Sequence, residues 1–418
     1  MKVLLLSTTD IHGGAARAAY QLHQGLQIIN VSSQMLVQTR LSDDETVTSS
    51  QTRIEKAIAK LRPGLDKLPV QQLYPQCDGT MFSLQWLPDR NASKVSHIDA
   101  DVINLHWVCG GFLNIGSIAK FKQPIVWTLH DMWAFTGGCH YSQECHRYTD
   151  SCGTCPQLSS RKHSDLSHWV WQRKAKALKS INLTIVTPSA WLARCARASS
   201  LFKDLRVEVI PNSLDTARYK PVNRQAARQI LGLPQDKRLV LFGAMKATSN
   251  PRKGFHLLQP ALHSLSKTAW KEQLSLVIIG ASQPSHPPDL GFEAHYLGVL
   301  SDDISLALAY AAADVFIAPS IQDNLPNTVM EALACGTPCV AFNIGGMPDL
   351  IEHQQNGYLA QAYKTEDLAQ GITWVLENTD RHQKLCSYAR KKVEQEFTQE
   401  LQAHRYLSLF AELIPSQH

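Results

Sequence analysis

The chain has 418 residues, enough for two domains of ordinary size, with 44% apolar residues, 18% charged residues and a formal net charge of +5. No apolar run approaches the roughly 18 residues that cross a bilayer, and the opening MKVLLLSTTD is too short for a secretory leader, so a cytoplasmic chain is expected. The mild positive charge comes without a nucleic-acid motif, which argues against a nucleic-acid partner.

Short apolar runs read as buried strands: KVLLLST (2–8), DVINLHWV (101–108), PIVWTLH (124–130), LTIVTPS (183–189) and VEVIPNS (207–213). A second series follows, with RLVLFGA (238–244), LSLVIIG (274–280), DVFIAPS (314–320) and TPCVAF (337–342). Most pairs leave room for a crossover helix, which predicts two doubly wound, Rossmann-like α/β domains. The run of Pro211, Asn212 and Ser213 marks the boundary. The expected division is an N-terminal domain at 1–212, a second domain at 213–396, and a helical tail at 397–418 docked on the N-terminal domain. Ligands of open parallel sheets bind outside the carboxyl ends of the strands. The two domains are therefore expected to face one another across a cleft, with the informative residues just after strands.

In chain order, Gly13 and Gly14 separate the first strand from a helix, and His130 and Asp131 follow the strand at 124–130. A lone histidine is more often structural, but this one ends a strand on the cleft side, where a functional role is as common as a structural one. Directly after it comes CHYSQECHRYTDSCGTCP (139–156). Its spacing, Cys139-x5-Cys145-x6-Cys152-x2-Cys155, suits four thiolates around one structural zinc, with His140 or His146 as substitute ligands and an iron–sulfur cluster as an alternative. Four unligated thiols are the bland reading, because a second Cys-x-x-Cys is lacking. A reactive dithiol is disfavoured by Pro156, and disulfides by the compartment.

From Arg161 to Arg206 there are ten Lys or Arg against Asp165 and Asp204. Trp169 and Trp171 beside Arg173, Lys174, Lys176 and Lys179 suggest an anionic membrane surface; a solvated helix face is the plain alternative. In the second domain, GAMKATSNPRKGFHLL (243–258) puts Arg252 and Lys253 beyond a strand, where cations clamp phosphate. PSIQDNLPNTVMEALACGTPCVAF (319–342) then starts a helix near Pro326, ended by Gly336. Its first N–H groups, at Asn327 and Thr328, would attract phosphate, with Asp323 before the helix and Glu331 one turn into it.

Together these motifs resemble the retaining, nucleotide-sugar-dependent glycosyltransferases of family 4, with the GT-B fold. Asp323 and Glu331 stand at the spacing of that family's acidic pair, and EALACGTPCV, Lys253-Gly254, PNSLD (211–215), GGMPDLI (345–351) and GGAARAAYQLHQGL match its other motifs. Two departures are Asp323 in place of Glu, and Ala244 and Met245 where the family carries Arg; Arg252 or Lys246 would have to replace that cation. The wording DNLPNT and GGCHY resembles a branch associated with bacterial exopolysaccharide and colanic-acid-type assembly.

The resemblance implies that Glu331 binds the nucleotide ribose and that Asp323 contacts the transferred sugar. Lys253, Arg252 and the N–H groups of Asn327 and Thr328 would hold the diphosphate of a UDP- or GDP-sugar. Gly14 would allow close backbone approach, and His130 would touch the sugar near the reacting centre. Transfer to a glycan or lipid-linked acceptor would retain configuration and need no divalent cation. Peripheral attachment to the inner face of the plasma membrane is part of the same expectation. The competing readings are a non-catalytic GT-B partner that binds sugar or lipid, and a nucleotide-sugar 2-epimerase.

Overall fold

The computed structural model describes residues 1–414 apart from Gln51, Asp78, Ser180 and 244–249. Two compact units emerge, Met1–Asn212 with Gln399–His418, and Ser213–Thr398.

The first unit is built on a parallel sheet of seven strands: β1 (Lys2–Thr9), β2 (Ser32–Thr39), β3 (Val47–Thr48), β4 (Val102–Leu105), β5 (Ile125–Thr128), β6 (Leu183–Thr187) and β7 (Val207–Val209). Their spatial order is β3-β2-β1-β4-β5-β6-β7, so the winding reverses between β1 and β4. Strands β4, β5 and β6 are buried along their whole length, because helices and loops cover both faces. Helix α1 (Gly14–Ile28) lays Ala19, Leu22 and Leu26 on one face. The final helix, Gln399–Leu413, packs Ala403, Tyr406, Leu409 and Phe410 into the same apolar cluster. Helix α2 (Arg53–Leu73) begins with a capping box: the Thr52 hydroxyl accepts from the Glu55 N–H, and Glu55 reaches back to the Thr52 N–H.

The second unit has six parallel strands: β8 (Arg238–Gly243), β9 (Leu274–Ile279), β10 (Ala294–Gly298), β11 (Val315–Ala318), β12 (Cys339–Phe342) and β13 (Gly357–Ala360). Their order, β10-β9-β8-β11-β12-β13, reverses between β8 and β11. Both units are therefore doubly wound, and each has a topological switch point. Ligands of such sheets bind at the carboxyl ends of the strands beside that point.

Candidate functional site

At the second unit's switch point the chain leaves β8, and beyond the stretch 244–249 the segment Pro251–Lys253 forms a single tight turn capped by Asn250. Gly254 closes that turn with φ +73°; a β-carbon there would sit 1.8 Å from the Pro319 carbonyl oxygen, so the turn lies directly on the segment that follows β11. The Arg252 carbonyl accepts from Ile321 N–H at 2.9 Å, and the Arg252 guanidinium donates to the Gln322 carbonyl at 2.7 Å. Sequence neighbours of two different strands are thus tied into one pocket wall.

Asp323 sits between both cations. Its Oδ2 lies 2.7 Å from Lys253 Nζ and its Oδ1 3.1 Å from Arg252 Nη1, while Ser320 Oγ donates to Oδ2 at 3.2 Å. Burial alone would raise this carboxyl; the two cations outweigh it and hold Asp323 well below the usual carboxylate range. Helix Asn327–Ala334 then starts with Pro326 at its cap and ends before Gly336, whose φ is +75°. Its first turn opens beside Lys253: Gly243, Lys253, Ser320, Pro326 and Thr328 line one small crevice. One turn in, buried Glu331 accepts a hydrogen bond from Tyr310 OH at 2.8 Å. The loop after β12 joins in, since Gly346 N–H donates to the Asp323 carbonyl at 3.1 Å. In this unit the structure therefore brings together Arg252, Lys253, Asp323, Asn327, Thr328 and Glu331. Lys246, the other substitute for the missing Arg, lies outside the described residues.

The first unit's switch point carries Gly14, the first residue of α1, and the histidines after β4 and β5. His130 is hydrogen-bonded at Nε2 to Nδ1 of His106, 3.0 Å away, and Nε2 of His106 lies 2.9 Å from Asn104 Oδ1. Asn104 Nδ2 donates to the Val126 carbonyl and to Thr128 Oγ1, both at 3.0 Å. These contacts fix the protons. A carbonyl can only accept, so the Asn104 amide nitrogen faces Val126 and its oxygen accepts from His106 Nε2–H. His106 Nδ1 must then accept from His130 Nε2–H. Burial keeps both rings neutral, lowering His130 to about 4 and His106 well below its ordinary value. His130 thus presents Nδ1 as an acceptor. His106 and Asn104 had not been singled out in the sequence, although His106 stands just past β4.

Asp131 does a different job from His130. Its carboxylate accepts from Trp133 N–H at 2.9 Å and Trp107 Nε1–H at 3.0 Å, and lies 2.6 Å from His140 Nδ1. Burial is outweighed by His140 and these donors, so Asp131 is held below the usual range. His140 uses its other nitrogen on Ser83 Oγ at 2.9 Å. Both of its ring nitrogens are therefore engaged in hydrogen bonds.

Cys139, Cys145, Cys152 and Cys155 lie near one another in the loop that follows. Burial raises Cys139 far above the ordinary thiol range, Cys152 to about 12 and Cys155 to about 11, and neighbouring thiols push the same way. Among the described residues no group of three or more His, Cys, Asp or Glu side chains is arranged to hold a metal ion. As placed, these four sulfurs do not converge on one ion.

The Arg161–Arg206 stretch is not a continuous basic face. Lys174 is buried, donating to the carbonyls of Trp133 and Thr136 with its ammonium over the Trp133 ring. Arg173 donates to the carbonyls of Leu84 and Gln85. An Asp-x-Asp triplet, Asp99-Ala100-Asp101, does occur, but it precedes β4, at the opposite end of the strand from the switch-point loops. Both of its acids are taken by the amino and backbone nitrogens of Lys2.

Comparison with known proteins bears on the second unit. Residues 223–392 match the family model for Glycosyl transferases group 1. The chain is 28% identical over 202 residues to D-inositol 3-phosphate glycosyltransferase 2 of Catenulispora acidiphila, covering 45% of this chain and 46% of that protein. It is 32% identical over 182 residues to the D-inositol 3-phosphate glycosyltransferase of Actinosynnema mirum, covering 40% and 43%. These matches span less than half the length of the curated relatives. Among solved structures, sucrose-phosphate synthase from Thermosynechococcus elongatus superposes with a TM-score of 0.67 at 18% identity, over 99% of both chains. Anabaena HepE in complex with UDP and glucose gives 0.62 at 18% identity, over 99% of this chain and 100% of that one. The fold is GT-B.

Proposed function

We propose that the protein is a glycosyltransferase that moves a sugar from a nucleotide-sugar donor to a glycan or lipid-linked acceptor. The observation that carries this is the second unit's switch point, where two cations, two buried acids and a helix N-terminus converge inside the segment matching Glycosyl transferases group 1. Breaking the bond between sugar and diphosphate leaves negative charge on the diphosphate. Lys253, Arg252 and the N–H groups of Asn327 and Thr328 are placed to stabilise that charge without help from a divalent cation. Incoming diphosphate would compete with Asp323 for the two cations, releasing its carboxylate toward the sugar. Glu331, oriented by Tyr310, accepts the ribose hydroxyls. His130, with Nδ1 as acceptor, receives a sugar hydroxyl near the reacting carbon.

The UDP named for one structural neighbour favours a uridine nucleotide over GDP. Retention of configuration, with the departing phosphate taking the acceptor's proton, follows from the family resemblance, as does a place in cell-surface polysaccharide assembly. The acceptor named for the curated relatives is not carried over, because the likeness covers less than half of them. A thermal-shift screen of nucleotide sugars tests the donor site: a ligand at 100 times its Kd stabilises by about 2.7 kcal/mol. Transfer should persist in EDTA, and loss of turnover reversed by added Mg²⁺ would contradict the metal-free donor site.

A further inference from the structure

Helix α2 carries an apolar stripe that is left exposed among the described residues. Ile54 is 74% exposed, Ile58 48%, Leu61 64%, Leu65 42% and Leu68 39%. Their spacing of four, three, four and three residues places all five within about 80° of arc on an α-helix. The helix is held by another face. Its buried residues are Ala59, Asp66 and Val70, and Arg62 donates to the Gly111 carbonyl. The Asp66 carboxylate accepts the backbone N–H of Leu84 at 3.3 Å and also that of Trp86. Trp86, itself 39% exposed, is thereby set beside the same helix.

Charge decides what could cover the stripe. Arg53, Lys56, Lys60 and Lys67 are all exposed, whereas Asp66 is buried and Glu55 is committed to the capping box. By the same helical spacing these four cations share one flank, roughly 100–160° from the middle of the stripe, and a second copy packed stripe to stripe would bring no exposed acid to pair them. Pro63, Gly64 and Pro69 also interrupt the regular seam that a helix pair needs. An anionic lipid surface suits both features, since the apolar stripe enters the acyl boundary while lysine stems reach back to the headgroups, with a tryptophan at the interface. We infer that α2 is an interfacial helix that docks this protein on anionic membranes. The inference relocates the membrane contact from the Arg161–Arg206 stretch and stands independently of the transferase reading.

The test is flotation of the full-length protein with phosphatidylglycerol–phosphatidylcholine vesicles at low salt, beside pure phosphatidylcholine vesicles. Wild type should float with the anionic vesicles, and added salt should weaken binding. The variant Ile58→Ser with Leu61→Ser and Leu65→Ser should lose at least about 10-fold in partitioning, since each exposed aliphatic chain contributes apolar area to the interface. Lys56→Glu with Lys60→Glu and Lys67→Glu should lose the preference for anionic vesicles while leaving the apolar stripe intact, and serves if the serine variant misfolds. Undiminished flotation of both variants, or no flotation of wild type, would overturn the inference. A dimer in vesicle-free solution that the serine substitutions dissociate, without flotation, would assign the stripe to self-association instead. Nucleotide-sugar turnover in solution should be equal in wild type and both variants, so failure of the transferase reading would show separately, as absent turnover in all three.

Discussion

Acidification should destabilise the first unit before ordinary carboxylates titrate. His23 is fully buried, 2.7 Å from Ser33 Oγ and 2.8 Å from Thr46 Oγ1. Burial lowers it from 6.5 to about 4, against the opposing pull of Asp44. His130 is lowered to about 4 as well, and His106 shifts in the same direction. The unfolded chain binds protons from pH 6.5 downward while the folded unit refuses them until about 4. Stability is thus complete above pH 6.5 and falls as pH drops from 6.5 toward 4. At pH 5 each of the two histidines costs about 2 kcal/mol, together about 4 kcal/mol, against a typical total of about 5–15 kcal/mol. Seven of the nine tryptophans lie in the first unit, so guanidinium unfolding followed by tryptophan fluorescence reports mainly on it. The denaturation midpoint should fall clearly between pH 7.5 and pH 5, and His23→Asn should flatten that slope. Equal midpoints at the two pH values would refute the reasoning.

Three further outcomes follow from the geometry. Gly254→Ala must hold a left-handed residue, at about 1–2 kcal/mol, and push its β-carbon off the Pro319 carbonyl. The melting temperature of the second unit should fall and donor affinity should weaken at least about 10-fold with the displaced Lys253, as calorimetry would show. His106→Leu removes the acceptor that fixes the proton of His130, so kcat should fall about 10- to 100-fold with the donor KM little changed. His106→Gln, whose oxygen can accept the same N–H, should recover part of that loss; full activity in the leucine variant would contradict the relay. Zinc on Cys139, Cys145, Cys152 and Cys155 remains a proposal that requires the loop to close and the thiols to ionise. Elemental analysis of reduced protein giving about one zinc per chain would support it, and values near zero for zinc and iron would reject it.

The nine strands read from apolar runs all exist, and for all but the half-exposed β7 the reason is that buried strands announce themselves as largely continuous apolar runs. The strands that escaped were β2, β3, β10 and β13. β2 opens Ser-Ser-Gln with alternating burial, β3 has two residues, and β10 is only partly buried along its length, so none carries a long apolar run. The candidate residues just after strands were legible as candidates for the same topological reason. Their partners were not: Tyr310 meets Glu331 across 21 residues and Lys253 meets Asp323 across 70, and no local pattern encodes such pairings. In the basic stretch, composition cannot tell a cation facing solvent from Lys174, which points into the core. For the cysteines, spacing fixes which thiols are close in sequence and not whether their sulfurs converge.

The central claim is that the second unit's switch point holds the nucleotide diphosphate and its ribose. Its most direct test is steady-state turnover of the nucleotide sugar identified by the thermal-shift screen, comparing wild type with Lys253→Ala and with Glu331→Ala, each shown to be folded by circular dichroism. Each substitution should reduce kcat/KM at least about 100-fold, the scale for removing one preorganised contact to developing charge or to a buried hydroxyl. Near-wild-type kinetics in both folded variants would contradict the assignment.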